Sequence, residues 1–413
     1  MSDASSRMRA WMMRVKAGVK RLVIGFILSL PTRVQLRVLP SSQRYDAALM
    51  PTPEVLDPDA RSRLLIAPAN SAGQGWAWAQ AVNRYSSGAA ATNMAVVGPQ
   101  DFGFGCGEPV PLGIYRWSTR WQTAQREAVT RQFTHVLVES DRPLFGDAQL
   151  RTANADIDDL LAAEISVGLL FHGSDIRLPS RHAERMTWSP FHGERWSLTP
   201  ALQQRSSELQ VRLQNCQLPI FFSTPDLALD VPQGHWLPVV VDTAAWAVDS
   251  PALSHGGVPV VAHAPSKAAV KGSDLVDPVM KKLEAEGLIR YIRVENVPAD
   301  EMPALYTSVD IVLDQFSLGI YGVAACEAMA AGRIVVSYVS AQVRDFVSAE
   351  TGLTLPIIDL SPDAIEQEMR ALLADRQRML ELAARGPEFV ESVHSGKLSA
   401  AVLSEFLDGQ RSS

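Results

Sequence analysis

Three cysteines in 413 residues, Cys106, Cys216 and Cys326, lie far apart and form no CxxC pair. That excludes a disulfide framework and fits a reduced, cytosolic compartment. No HExxH, HxxxH or cysteine cluster argues for zinc. Acids are missing from one whole segment, Ala4 to Tyr45. The apolar run "LVIGFILSL" within it is too short to span a bilayer, which takes about 20 residues. It resembles the core of a signal peptide, but "PTRVQLRV" follows rather than a small-x-small cleavage site. There is no sequence repeat, low-complexity tract or heptad array. The net charge of -7 argues against a general nucleic-acid binder.

What is present is a globular composition, 47% hydrophobic and 20% charged, long enough for two domains. Residues 1–45 read as a basic amphipathic segment. Arg7, Arg9, Arg14, Lys16, Lys20, Arg21, Arg33, Arg37 and Arg44 alternate there with apolar side chains. Two readings stand: a helix on an anionic membrane surface through residues 7–37, or a helix packed on the domain with a solvated basic face. Short β-branched runs then alternate with helical patterns: 63–68, 94–98, 135–140, 167–173, 218–224 and 235–242. A Ser/Gly/Pro-rich junction at 249–259 intervenes, and the alternation restarts at 258–266, 289–297, 310–316 and 333–339. Helices are expected at 361–386 and about 388–408. Such runs suit buried parallel strands. The fold class is α/β, with two doubly wound Rossmann-like domains facing across a cleft, at 60–245 and 255–390. Residues 391–413 form a C-terminal helix expected to pack back on the first domain.

Ligands of such sheets bind beyond the carboxyl ends of strands, so the loops there carry the candidates. Gly73, Gln74 and Gly75 follow the first strand as a loop for phosphate or acceptor, although a tight strand-to-helix turn explains the glycines as well. In "FHGSDIR", His172, Ser174, Asp175 and Arg177 crowd one strand tip, and a histidine there can orient a substrate hydroxyl or exchange a proton with it. His172 and Asp175 are the catalytic candidates. In "AHAPSKAAVKGSD", His263, Ser266, Lys267 and Lys271 place cations and N–H groups where a diphosphate would sit. In "DQFSLGIYGVAACEAMAAG", Gly319 and Gly322 permit close backbone approach, and Glu327 is a lone acid among apolar residues. A carboxylate there could bind a ribose diol. The two DxD patterns, at 57–59 and 156–158, read as a turn and a helix start, so no metal is assigned.

The pieces "HAPS…KGSD", "VENVPADEMPALYTSVDIVLDQ" and "GIYGVAACEAMAAGRIVV" resemble the retaining GT-B glycosyltransferases of family four, the group 1 type with a KG…E(x7)E donor site. The resemblance covers roughly 258–395 and extends more loosely through "NSAGQG" and "HGSDIR". It implies a nucleotide-sugar donor on the C-terminal domain, with Lys271 on the diphosphate and Glu327 on the ribose. Backbone around Ile320, Tyr321 and Gly322 would meet phosphate or sugar, and Glu295, Asn296 and Val297 would flank the base. His172 would stand near the donor sugar. No cofactor or metal is implied, and the leaving phosphate would help take the acceptor proton. The chain departs from the pattern twice. Gly319 stands where the first acid of E(x7)E falls, and Pro265 stands near the place of an upstream arginine. The expected function is transfer of a sugar to a glycan or lipid-linked acceptor near the cytoplasmic membrane face. A GT-B-shaped binding or assembly subunit without turnover, and a nucleotide-sugar 2-epimerase, are the alternatives.

Overall fold

A computed structural model describes residues 22–51, 56–98, 102–146, 151–193, 195–295 and 297–409. Two parallel sheets dominate it. The first has seven strands: β1 (Ser62–Ala67), β2 (Ala89–Val97), β3 (Glu108–Pro111), β4 (His135–Glu139), β5 (Ser166–Phe171), β6 (Ile220–Phe222) and β7 (His235–Trp236). Their order across the sheet is β3-β2-β1-β4-β5-β6-β7. The second has five: β8 (Val260–His263), β9 (Arg290–Arg293), β10 (Ile311–Leu313), β11 (Ile334–Ser337) and β12 (Ile358–Asp359), in the order β12-β11-β10-β8-β9. Every paired strand runs parallel to its neighbour.

Burial explains which strands the sequence reveals. β1, β4, β5, β6, β8, β10 and β11 are almost wholly enclosed, because helices cover both faces of a parallel sheet. Their apolar runs are continuous for that reason. Two short edge strands carry no such run. β3 reads "EPVP", and its prolines are tolerated because an edge strand leaves N–H groups unused. β12 has two residues. The C-terminal helices differ from the expected pair: they are Ile365–Ala374, Arg376–Val393 and Lys397–Asp408. Pro387 sits inside the second of these instead of ending it. That helix packs on Val323–Ala330, so closely that a Cβ on Gly386 would lie 2.8 Å from the Met329 carbonyl oxygen.

The last helix crosses back to the first sheet. Leu403 and Leu407 are buried with Trp78, Leu64 and Ile66, and Ser62 Oγ donates to Leu407 O at 2.8 Å. At the other end of the chain, residues 22–29 are helical and are followed by the helix Thr32–Val38. The latter is fastened to the first domain: Gln35 Nε2 donates to Trp117 O, Leu39 is buried, and Trp117 Nε1 donates to Gln43 Oε1. Residues 1–21, with the first six basic residues of the segment, lie outside the described residues. Among the described residues no helix is long and apolar enough to cross a membrane.

In each sheet the strand order reverses direction at one place, between β1 and β4 and between β8 and β10. Crevices form at such points because the flanking connections leave on opposite faces. The loops after these four strands are Pro68–Gly75, Ser140 onward, Ala264–Gly272 and Asp314–Gly322.

Candidate functional site

The loop after β1 turns through left-handed backbone at Asn70, Ala72 and Gly73 before the helix Gln74–Tyr85 begins. Asn70 Oδ1 accepts from Trp76 N, capping that helix. Phe104 packs on Gly73, and Gly75 passes close to Asn70, Asn93 and Glu139. Gln74 is placed differently from the expectation of a ligand contact. It is buried, and its amide is spent on Val240, accepting from N at 2.6 Å and donating to O at 3.1 Å.

His172 follows β5. Its Nε2 lies 2.9 Å from Oε1 of Glu139, the last residue of β4, and its ring stacks on Trp78 at 5.6 Å. Asp175 accepts from the backbone N–H groups of His172 and Gly173 and from the Ser140 hydroxyl at 2.6 Å. Burial opposes ionisation of Asp175, but the His172 charge and these hydrogen bonds outweigh it and hold its carboxyl below the ordinary range. Asp175 therefore organises the loop and is not itself open to a substrate. Ser174 is exposed at the tip. Arg177 turns inward, pairing with Asp226 at 2.7 Å.

On the second sheet, the loop after β8 leads through exposed Ser266 and Lys267 to Lys271. Lys271 Nζ meets Asp314 Oδ1 at 2.5 Å, and the other oxygen of Asp314 accepts from Gly322 N at 3.2 Å. Gly272 must be glycine here: φ is +73°, and a Cβ would lie 2.6 Å from Ser317 Oγ. Glu327 sits in the helix Val323–Ala330 that the loop opens, half-buried and with no hydrogen bond from its carboxyl among the described residues. Burial and the neighbouring Asp314 push it up to about 8, with Lys271 pulling the other way. Lys271, Asp314, the Gly322 amide and Glu327 thus converge beyond β8 and β10.

The remaining candidates have other surroundings. His263 is wholly buried, with Nδ1 at 2.9 Å from Leu313 O and Nε2 at 2.9 Å from Ser273 Oγ. The carbonyl fixes the proton on Nδ1, and burial holds the ring down to about 4, so it is a neutral strut and not a donor contact. Tyr321 is buried, and its hydroxyl reaches His394 Nε2 at 3.3 Å. Ile320 is buried too, and its carbonyl accepts from the Gln315 and Ser337 side chains. Gly319 is filled over by Met186 of the first domain. Glu295 is exposed and pairs with Arg293 at 2.8 Å, Val297 is half-buried, and Asn296 lies outside the described residues. The "DID" acid Asp156 binds the Leu144 and Phe145 amides and Arg151, and Asp57 of "DPD" accepts from Asp59 N. Among the described residues no group of three His, Cys, Asp or Glu side chains is placed to hold a metal.

Three residues not singled out in the sequence shape the site. Glu139 joins the first two loops. Asp314 holds Lys271 and Gly322. Gln315 is buried, accepting from Leu318 N at 2.8 Å and donating to the Ile320 and Tyr338 carbonyls. Their signal was visible as polar residues at the ends of the apolar runs "HVLVES" and "DIVLDQF".

The architecture is that of the GT-B glycosyltransferases. Sucrose-phosphate synthase from Thermosynechococcus elongatus matches with a TM-score of 0.52 and 10% identity over 83% of this chain and 97% of that one. A glycosyltransferase from Rickettsia africae matches with a TM-score of 0.53 and 10% identity over 84% and 98%. HepE from Anabaena, in a complex with UDP and glucose, matches with a TM-score of 0.51 and 12% identity over 84% and 100%. At such identities the likeness is one of fold. No protein-family model matches the sequence, and no curated protein is significantly similar to it.

Proposed function

We propose that the protein is a glycosyltransferase that moves a sugar from a nucleotide-sugar donor to a glycan or lipid-linked acceptor, with retention at the anomeric carbon. One observation carries the reading: Lys271, the Gly322 amide and Glu327 converge at the reversal point of the second sheet. A diphosphate there would draw Lys271 from Asp314 and meet the N–H groups opening Val323–Ala330. Among the described residues the Glu327 carboxyl makes no hydrogen bond, as a ribose diol requires. The fold is shared with HepE, whose structure holds UDP and glucose. His172, at the carboxyl end of β5 in the first sheet, would touch a substrate hydroxyl. Ser266, Lys267 and Val297 border the same side and would line the phosphate and base.

The acceptor side is read from the amino-terminal segment. Leu22, Phe26 and Leu49 are 76%, 65% and 69% exposed, and Arg33, Arg37 and Arg44 of the same segment are exposed too. Exposed apolar and cationic groups in one segment suit an anionic membrane face, where a lipid-linked acceptor would be presented.

Thermal unfolding with UDP-, GDP-, ADP- and dTDP-sugars tests the donor assignment. One nucleotide series raises the melting temperature of the native protein, and Glu327→Ala removes the rise. No rise with any of the four overturns it. A second reading, a GT-B-shaped subunit without turnover, draws on Met186 filling the space at Gly319, and donor hydrolysis or transfer by the purified protein would exclude it.

A further inference from the structure

Glu139 ends β4 with its side chain wholly enclosed. Three donors fill its carboxylate. Ala69 N donates to Oε2 at 2.8 Å, Asn70 N is shared between the two oxygens at 3.0 and 3.1 Å, and His172 Nε2 lies 2.9 Å from Oε1. Two backbone N–H groups fix both oxygens as acceptors, so the histidine must donate. A proton on Nε2 makes Nδ1 the lone-pair nitrogen of the neutral ring. Nδ1 has no partner among the described residues.

Three contacts hold the ring. Asp175 fixes its backbone, Trp78 covers one face, and Glu139 sets its rotation. Glu139 in turn cannot rotate, because the Ala69–Asn70 amides pin it.

We propose that Glu139 is the positioning residue for His172, holding the ring so that Nδ1 accepts a hydrogen bond from a substrate hydroxyl. This rests on the glycosyltransferase reading, which supplies that hydroxyl. The charged groups facing the ring are Glu139, Asp175 and Arg142. Burial opposes protonation of the ring. The hydrogen bond and charge of Glu139, with Asp175, outweigh burial and Arg142, and the ring sits above its ordinary 6.5. The neutral, accepting form is therefore present only above that raised value, and kcat rises with pH through it.

Glu139→Gln keeps the shape and removes the charge. The rising limb of kcat then moves to lower pH, kcat at its plateau falls about 10–100-fold, and KM for the nucleotide-sugar stays within about threefold. The double variant Glu139→Gln/His172→Gln loses no more than His172→Gln alone. A further loss in the double variant would mean that Glu139 serves the Asn70 turn instead, and a limb that falls with pH would mean that the cation is the working form; either overturns the proposal. NMR of the ring nitrogens of His172 in the unmodified protein, above its pKa, reports the tautomer without turnover or mutation. The Nε2–H tautomer is expected, and Nδ1–H overturns the proposal. If no donor supports transfer, the functional reading fails while the tautomer and the titration of His172 still decide the role of Glu139.

Discussion

Met186 closes over Gly319. A Cβ built on the glycine would lie 3.1 Å from the Met186 sulfur and 3.4 Å from the Ser340 Cβ, and its φ is +66°. The contact joins the first domain to the loop after β10, next to the bond from His182 Nε2 to Leu318 O at 3.1 Å.

Gly319→Ala therefore meets both a left-handed backbone and a tight neighbour, and should cost about 1–3 kcal/mol. Thermal or urea unfolding measures it. Placing an acid there by Gly319→Glu should destabilise more, and less so in a Met186→Ala background, where the space is vacant. Equal losses in both backgrounds would show that backbone strain alone sets the cost.

Lys271 and Asp314 make a pair in which the Asp314 side chain is fully buried. Removing the lysine leaves an uncompensated carboxylate. Lys271→Ala should destabilise by about 3 kcal/mol, lessened because Lys271 is itself one-fifth exposed. Adding Asp314→Asn should recover much of the stability without restoring nucleotide binding. Calorimetric titration and denaturant melts on the two variants separate these effects, and full recovery of binding in the double variant would remove Lys271 from the donor site.

Glu327 gives a pH signature. Burial first, then Asp314, raise its carboxyl to about 8 from an ordinary 4.5. The folded state then binds more protons than the unfolded chain between those values, so this group lowers stability as pH rises from about 4.5 through about 8. Glu327→Gln should flatten that part of the curve, with its largest relative gain at pH 9. Melting temperatures at pH 5, 7 and 9 check the sign, and a variant that declines as steeply as the parent would refute it.

The surface of residues 22–49 should bind vesicles containing an anionic lipid, and not neutral ones. Arg33→Gln/Arg37→Gln should weaken that binding roughly 30-fold at low salt, by about 1 kcal/mol for each charge. Both side chains are exposed and make no ion pair among the described residues, so folding should be unaffected. Co-sedimentation measures it, and binding that ignores both the lipid charge and the arginines would dissociate the segment from membranes.

The two sheets were legible because parallel strands are buried on both faces and leave unbroken apolar runs. β3 and β12 were not, since an edge strand of two or four residues carries prolines or too little length to show a pattern. The candidate loops were also legible, for strand ends are where ligands of such sheets bind. The side chains within them were only partly so. Lys271 and Glu327 come together beyond the second sheet, whereas His263 and Gln74 are turned inward by carbonyl and amide partners far away in sequence.

By itself the sequence determined the parallel α/β architecture, the break between two sheets and the loops that face the cleft, because periodicity and glycine placement are local properties. Only the tertiary structure decided which polar residues stand open and which are consumed. That choice depends on partners 43 to 166 positions distant, as between Lys271 and Asp314 or Gln74 and Val240. It also joined Glu139 to His172, 33 positions apart, by setting β4 beside β5. A buried polar group must find a partner, and the packing of strands, not their order in the chain, determines which partner is within reach.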